Sequence, residues 1–159
     1  MKNYLIGCLA LCLLASASMI YRQGQTNVFL GFDKNLGPAG EPTLYLYGFF
    51  SSDSCMPCAE LIGVLNQLPE DFRVTGVVPQ GDAPRIPLLR EQYQVRFPIY
   101  GAAKFRRYKP VVNPTIIGVS RGGKLLFVLP CVTLEPEEIR AFLDDLHLKL
   151  SPYLADESF

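Results

Sequence analysis

The chain has one histidine, His147, and one pair of cysteines in CxxC spacing, Cys55 and Cys58. That scarcity bears first on metals. A structural zinc site is built from four ligands, commonly two CxxC pairs or a Cys pair with a His pair. The remaining thiols do not supply one, because Cys8 and Cys12 lie in an apolar N-terminal stretch and Cys131 stands alone. Net charge is absent as well, with 15 acidic residues against 15 basic ones, so no broad basic surface points to nucleic acid. The basic run Lys104-Phe105-Arg106-Arg107-Tyr108-Lys109 is short. It reads as a solvated loop, with a docking patch for an acidic partner or lipid headgroups as the sharper alternative. There is no internal repeat and no low-complexity tract, which removes solenoids and disordered scaffolds. What remains is apolar content of 49%, enough for one globular domain.

Within that ordinary composition, Cys55-Met56-Pro57-Cys58 stands out. It follows the apolar run Leu44–Phe50 and opens a segment of helical spacing. Two thiols at this separation can close a small disulfide or ligate a metal. A disulfide of purely structural purpose is disfavoured, because so short a loop constrains the unfolded chain little. A helix N-terminus beneath Cys55 stabilises a thiolate through unpaired N–H groups and the macrodipole. The expected chemistry is a reversible dithiol/disulfide couple, needing no cofactor beyond the Cys55–Cys58 disulfide itself and no metal.

The N-terminus reads as a targeting segment over residues 1–21. Lys2 supplies a minimal positive start, Leu5–Leu14 is apolar, and Ala15-Ser16-Ala17 carries the small residues of a cleavage site. Two fates stand. Cleavage after Ala17 gives a signal peptide. Retention gives an anchor, since Tyr4–Tyr21 is just long enough to span a bilayer, with Tyr21 and Arg22 at its outer end. Leu5-Ile6-Gly7-Cys8 resembles a lipoprotein acylation box but comes too early in the chain. Residues 22–42 form a polar tether with one short apolar run, Val28–Phe32, that suits an edge strand. The expected location is the extracytoplasmic side of a bacterial-type membrane, where disulfides are chemically ordinary.

Periodicity outlines the rest. Thr43–Phe50 looks like a strand buried on both faces. Leu61, Val64, Leu65 and Leu68 recur at helical spacing, and Pro69 ends that run. Pro57 is tolerated in a first turn, which has no intrahelical N–H bond to lose. Phe72–Val78 reads as the next buried strand, Gly81–Pro87 as a loop, Leu88–Tyr93 as a short helix and Val95–Tyr100 as a small strand. Thr115–Val119 and Leu125–Leu129 form a hairpin across Arg121-Gly122-Gly123-Lys124. A last helix starts near Thr133–Glu135, with Ile139, Phe142, Leu143, Leu146 and Leu150 as its apolar stripe. His147 on that helix is expected to face solvent. The order βαβ, short helix, hairpin, helix predicts an α/β fold with a mixed central sheet and helices on both faces. The domain is expected over residues 43–151, with a tail at 152–159.

Three signals together resemble the thioredoxin superfamily over about Thr43 to Leu150. They are Phe49-Phe50-Ser51-Ser52-Asp53-Ser54-Cys55-Met56-Pro57-Cys58, then Val112-Asn113-Pro114-Thr115, then Gly122-Gly123-Lys124. The Gln94–Ile99 segment and the long interval from Cys58 to Pro114 look like the envelope-facing, TlpA-like or redoxin-like branch. The resemblance implies a thioredoxin-like fold, a cis peptide before Pro114, and a groove near Met56, Pro57, Asn113 and Pro114 where substrate docks. It implies Cys55 as nucleophile and Cys58 as resolving thiol. Its partners would be disulfide-containing or dithiol proteins and a membrane or envelope redox partner.

The chain departs from the family pattern in several places. Ser54 stands where an aromatic residue usually precedes the first cysteine, and the chain has no tryptophan at all. Leu46–Phe50 lacks the buried acid of thioredoxin itself, and Leu61 stands where many TlpA-like members have Glu. The proton acceptor for Cys58 therefore has only weak candidates, Asp53 and Glu60. Each reads first as a surface carboxylate at a helix start. Cys131 reads as an apolar filler, with a third redox thiol as the alternative. Two rival functions are a thioredoxin-like binding module without redox turnover and a peroxiredoxin-like peroxide reductase. The retained CxxC counts against the first. Gly48, in the place of the expected proline, counts against the second, although Ser52 fits it.

Overall fold

The computed structural model describes residues 44–52, 56–105, 112–120 and 125–154. The expected targeting segment, tether and Val28–Phe32 strand lie outside these residues, as do Asp53, Cys55 and the Arg121–Lys124 turn. Five strands form one mixed sheet in the order β3-β2-β1-β4-β5. They are β1 (Leu44–Phe49), β2 (Phe72–Val78), β3 (Ile99–Gly101), β4 (Thr115–Val119) and β5 (Leu125–Pro130). β1, β2 and β3 run parallel, whereas β4 and β5 pair antiparallel. The helices are α1 (Met56–Asn66), α2 (Ile86–Gln92) and α3 (Pro136–Leu154), with 3-10 turns at Gln80–Arg85 and Ala102–Phe105.

β1 is the central strand, and every one of its residues is buried. Alternation along it feeds two cores. Leu44, Leu46 and Phe50 enter a large cluster with Cys58, Leu61, Ile62 and Leu65 of α1, Leu89 of α2, and Ile139 and Leu143 of α3. Tyr45, Tyr47 and Phe49 face the other way, with Val77, Ile117 and Val119, and Tyr100 and Ala102 pack there. Among the described residues, that second face therefore carries the 3-10 turn at Ala102 rather than a long helix. Each Leu, Ile or Phe withdrawn fully from water contributes about 1.5–3 kcal/mol, so the α1–β1–α3 cluster dominates stability.

Local chemistry explains where α1 lies. A Cβ on Gly48 would meet Leu65 Cδ1 at 2.7 Å, so the bare glycine lets α1 settle close on β1. At the start of α3, Pro136 takes the first helical position, where no N–H is needed. The Glu138 carboxylate accepts from the Glu135 backbone N–H at 2.9 Å, the return half of a capping box.

Several sequence expectations shift in detail. The Gly81–Pro87 loop is a 3-10 turn running into α2, and the small strand shrinks to Ile99–Gly101. α3 continues to Leu154, three residues beyond the expected domain end at 151, with Pro152 accommodated in its last turn. His147 does not simply face solvent. It is half-buried, its ring 4.9 Å from that of Phe72 and inclined 44°. Phe142 is only partly covered, meeting Phe127 of β5 edge-on at 5.4 Å. Among the described residues no helix is long and apolar enough to cross a membrane.

Candidate active site

The site lies where the carboxyl ends of the parallel strands β1 and β2 meet the start of β4. Register brings it together. Phe49, the last residue of β1, pairs with Thr115, the first of β4, so β1 ends beside the turn that carries Pro114. Thr115 in turn pairs with Pro130, which sets Cys131 next to Pro114. The Cys131 backbone N–H donates to the Pro114 carbonyl at 2.9 Å. The open end of a parallel pair is where α/β folds hold their ligands.

The motif straddles the start of α1. Met56 opens the helix and is 74% exposed, Pro57 is half-buried, and Cys58 is 3% exposed within the main core. Cys58 thus presents a sulfur shielded from bulk water on the first helical turn. Across from it, Val112 and Asn113 are exposed while Pro114 is buried, and the Asn113–Pro114 peptide is cis. The Thr115 hydroxyl donates to the Val112 carbonyl at 2.6 Å and closes that turn on itself. Exposed Met56 and Val112 give this end of the molecule two apolar contact points.

Of the two carboxylates named from sequence, Glu60 alone falls within the described residues. Asp53 lies outside the described residues. Glu60 is two residues along α1 from Cys58, about 200° around the helix. It lines a groove of about 330 Å³ between α1 and α3 with Gln67, Glu137 and Arg140. The Arg140 guanidinium donates to the Gln67 side-chain carbonyl across that groove. Among the described residues no cluster of His, Cys, Asp and Glu could hold a metal ion.

Cys131 is 1% exposed, and burial pushes its thiol up from 9.0 to about 11, against a small opposing effect of a hydrogen bond from the Ile116 backbone. Its Sγ lies 3.3 Å from the Leu129 carbonyl, to which the S–H donates. A protonated, buried thiol is a poor nucleophile.

Sequence reasoning missed one pair of residues. Asp82 and Arg85, on the 3-10 turn after β2, reach the segment between β1 and the motif. The Asp82 carboxylate accepts from the Ser52 backbone N–H at 2.9 Å and from the Ser51 hydroxyl at 3.4 Å. An Arg85 guanidinium nitrogen donates to the Ser52 hydroxyl at 3.3 Å. The Ser52 N–H bond, with smaller help from both hydroxyls and from Arg85, holds the Asp82 carboxyl below its ordinary value of 3.8 despite opposing burial. The only local hint was a polar, turn-forming Gln-Gly-Asp at the end of an apolar strand.

No protein-family model matches the chain, and no curated protein matches it. Solved structures do. A thioredoxin-family thiol:disulfide interchange protein from Chlorobium tepidum superposes with a TM-score of 0.51 at 16% identity, covering 67% of this chain and 81% of its own. A secreted Mycobacterium tuberculosis disulfide oxidoreductase homologous to E. coli DsbE gives 0.53 at 15% identity, covering 67% and 84%. StoA from Bacillus subtilis gives 0.50 at 14% identity, covering 65% and 84%. The chain therefore has the thioredoxin-like fold.

Proposed function

We propose that this thioredoxin-fold chain is a protein thiol–disulfide oxidoreductase that uses Cys55 and Cys58 outside the cytoplasm. One observation supports it above the others. The β1–β4 register puts Phe49, at the end of β1, opposite Thr115, which directly follows Pro114, and Cys58 is buried on the first turn of α1. The solved structures of similar fold include proteins described as thiol:disulfide interchange proteins and disulfide oxidoreductases.

In the reducing direction the Cys55 thiolate attacks one sulfur of a substrate disulfide. A Cys55–substrate disulfide forms, and the other substrate sulfur leaves as a thiolate. Cys58, deprotonated, then attacks Cys55 Sγ. The Cys55–Cys58 disulfide forms, the second substrate thiolate is released, and two electrons have passed to the substrate. Reversed, the same steps oxidise a dithiol. Shielding of Cys58 disfavours its attack on anything but the adjacent Cys55. Met56 and Val112 offer apolar contacts to the substrate backbone, and no cofactor takes part beyond the disulfide.

Trapping with the full chain tests the reading. Cys58→Ser is expected to accumulate mixed disulfides with protein partners in cell-envelope extracts, whereas Cys55→Ser accumulates none. The parent is expected to equilibrate reversibly between dithiol and disulfide in glutathione buffers. A parent whose two thiols never pair would exclude redox turnover and leave only a binding role.

A further inference from the structure

As the chain leaves β1, the Phe50 N–H donates to the Val77 carbonyl at 3.1 Å. α1 begins at Met56. Ser51 and Ser52, which follow Phe50, belong to neither a strand nor a helix, and Cys55 comes three residues after Ser52. Ser51 and Ser52 are both held by the 3-10 turn Gln80–Arg85 that follows β2. Asp82 accepts from the Ser52 N–H and the Ser51 hydroxyl on one carboxylate oxygen, while an Arg85 guanidinium nitrogen donates to the Ser52 hydroxyl. These contacts join residues thirty or more apart in sequence, so they are properties of the fold and not of a local turn.

The turn itself is well anchored. The Asp82 N–H donates to the Pro79 carbonyl at 2.9 Å, and the Gln80 side-chain carbonyl accepts from the Ala103 N–H at 3.1 Å. The clamp therefore transmits the position of β2 and β3 to the segment three residues before Cys55. Asp82 and Arg85 also offset one another in charge, so the pair can hold the backbone without imposing a large net field on the thiols.

We propose that Asp82, with Arg85, is a positioning residue for the Cys55–Cys58 couple: its carboxylate hydrogen bonds fix the approach of the chain to Cys55 and so hold the two sulfurs ready for exchange. This rests on the redox reading above. Exchange requires the attacking sulfur in line with the scissile S–S bond, and small misplacements of a reacting group cost rate steeply. A carboxylate gripping a backbone N–H makes one of the stronger hydrogen bonds available to a loop.

The test follows reduction of the oxidised full chain by dithiothreitol. Dithiothreitol thiolate attacks the Cys55–Cys58 disulfide, closes to its own cyclic disulfide, and leaves both cysteines as thiols. Acid quenching and alkylation followed by mass spectrometry read the rate, since the chain has no tryptophan to report it by fluorescence. Asp82→Ala should react about tenfold more slowly than the parent, whereas Asp82→Asn, which keeps an acceptor oxygen without the charge, should recover to within about threefold. Arg85→Ala should slow the reaction about threefold, and it decides the matter if Asp82→Ala does not fold. A merely structural role would lower the unfolding midpoint of Asp82→Ala and leave its rate at 25 °C unchanged, and that result overturns the proposal. An Asn variant as slow as the Ala variant overturns it too, because charge and not hydrogen bonding would then be at work. A parent that forms no Cys55–Cys58 disulfide sinks the redox reading itself, a failure visible before any variant is made.

Discussion

Single residues in this molecule are governed by whether burial or hydrogen bonding sets their protonation. Cys131 shows the first. Its folded pKa is raised above the unfolded value, so the stability it contributes is complete below about pH 9 and declines as the pH climbs toward 11. Two pKa units correspond to about 2–3 kcal/mol. Cys131→Ala should be less stable than the parent near pH 7, by about 1 kcal/mol for the lost packing. Urea unfolding should show that gap closing and then reversing between pH 9 and 11, and a gap that stays constant would mean the thiol is not desolvated in the folded state. Native-state alkylation near neutral pH should leave Cys131 unmodified, as expected for a filler and not for a relay thiol. Asp82 shows the second case with the opposite sign. Its folded pKa is lowered, so its contribution is present above the unfolded value of 3.8 and is lost as the pH falls through and below it. Stability of the parent should therefore drop more steeply below about pH 4 than that of Asp82→Asn, measured by thermal unfolding across that range.

At the scale of elements, the end of α2 is informative. The Val95 N–H donates to the Arg90 carbonyl at 3.1 Å and the Gln94 N–H to the Glu91 carbonyl at 3.4 Å, the paired bonds of a Schellman motif. Gln94 carries the left-handed conformation this needs, with φ of 47°. A glycine adopts that conformation without a Cβ penalty, so Gln94→Gly should stabilise the protein by about 0.5–1 kcal/mol in urea unfolding. Asn66, the last residue of α1, ties the same corner. Its side-chain amide donates to the Tyr93 and Gln94 carbonyls at 3.2 and 3.4 Å and accepts from the Arg96 N–H at 2.9 Å. Asn66→Ala should cost about 1–3 kcal/mol, because three backbone groups lose their partner together. Neither contact was legible from periodicity. Val95–Tyr100 reads as a small strand in sequence, and it takes the three-dimensional meeting of α1 with α2 to make its first residue part of a cap. On the other edge, a Cβ on Gly118 would come within 1.9 Å of the Phe127 ring, which lies across it toward Phe142 of α3. The pairing Gly118↔Phe127 makes this glycine the seat of an aromatic link from sheet to helix.

At the scale of the whole molecule, the sheet order gathers the motif, the Pro114 turn, Cys131 and the Asp82 clamp at one end. The proposed extracytoplasmic placement depends on residues 1–42, which precede this domain. Fractionation of cells making the full chain, combined with N-terminal sequencing, should find the domain in the envelope. A chain beginning at Ser18 would identify a cleaved signal, and an intact membrane-bound chain would identify an anchor with residues 22–42 as tether. Full-length protein in the cytosol would remove the location from the proposal while leaving the thiol chemistry to be tested by the trapping experiment.

Much of this protein was determined by local sequence alone. Continuous apolarity over Leu44–Phe50 demanded a strand buried on both faces. Helical spacing of Leu61, Val64 and Leu65 demanded a helix directly after the CxxC, and the proline before Thr115 marked the start of a strand. These follow from periodicity and backbone chemistry, which act over a few residues. Tertiary structure decided the rest. It set Cys131 beside Pro114, turned Glu60 toward α3 and away from Cys58, laid His147 against Phe72, and brought Asp82 and Arg85 onto Ser51 and Ser52. Each of these depends on strand register or helix rotation, where a shift of one residue carries a side chain to the opposite face. That choice is made by the packing of the core as a whole, so no short window of sequence contains it.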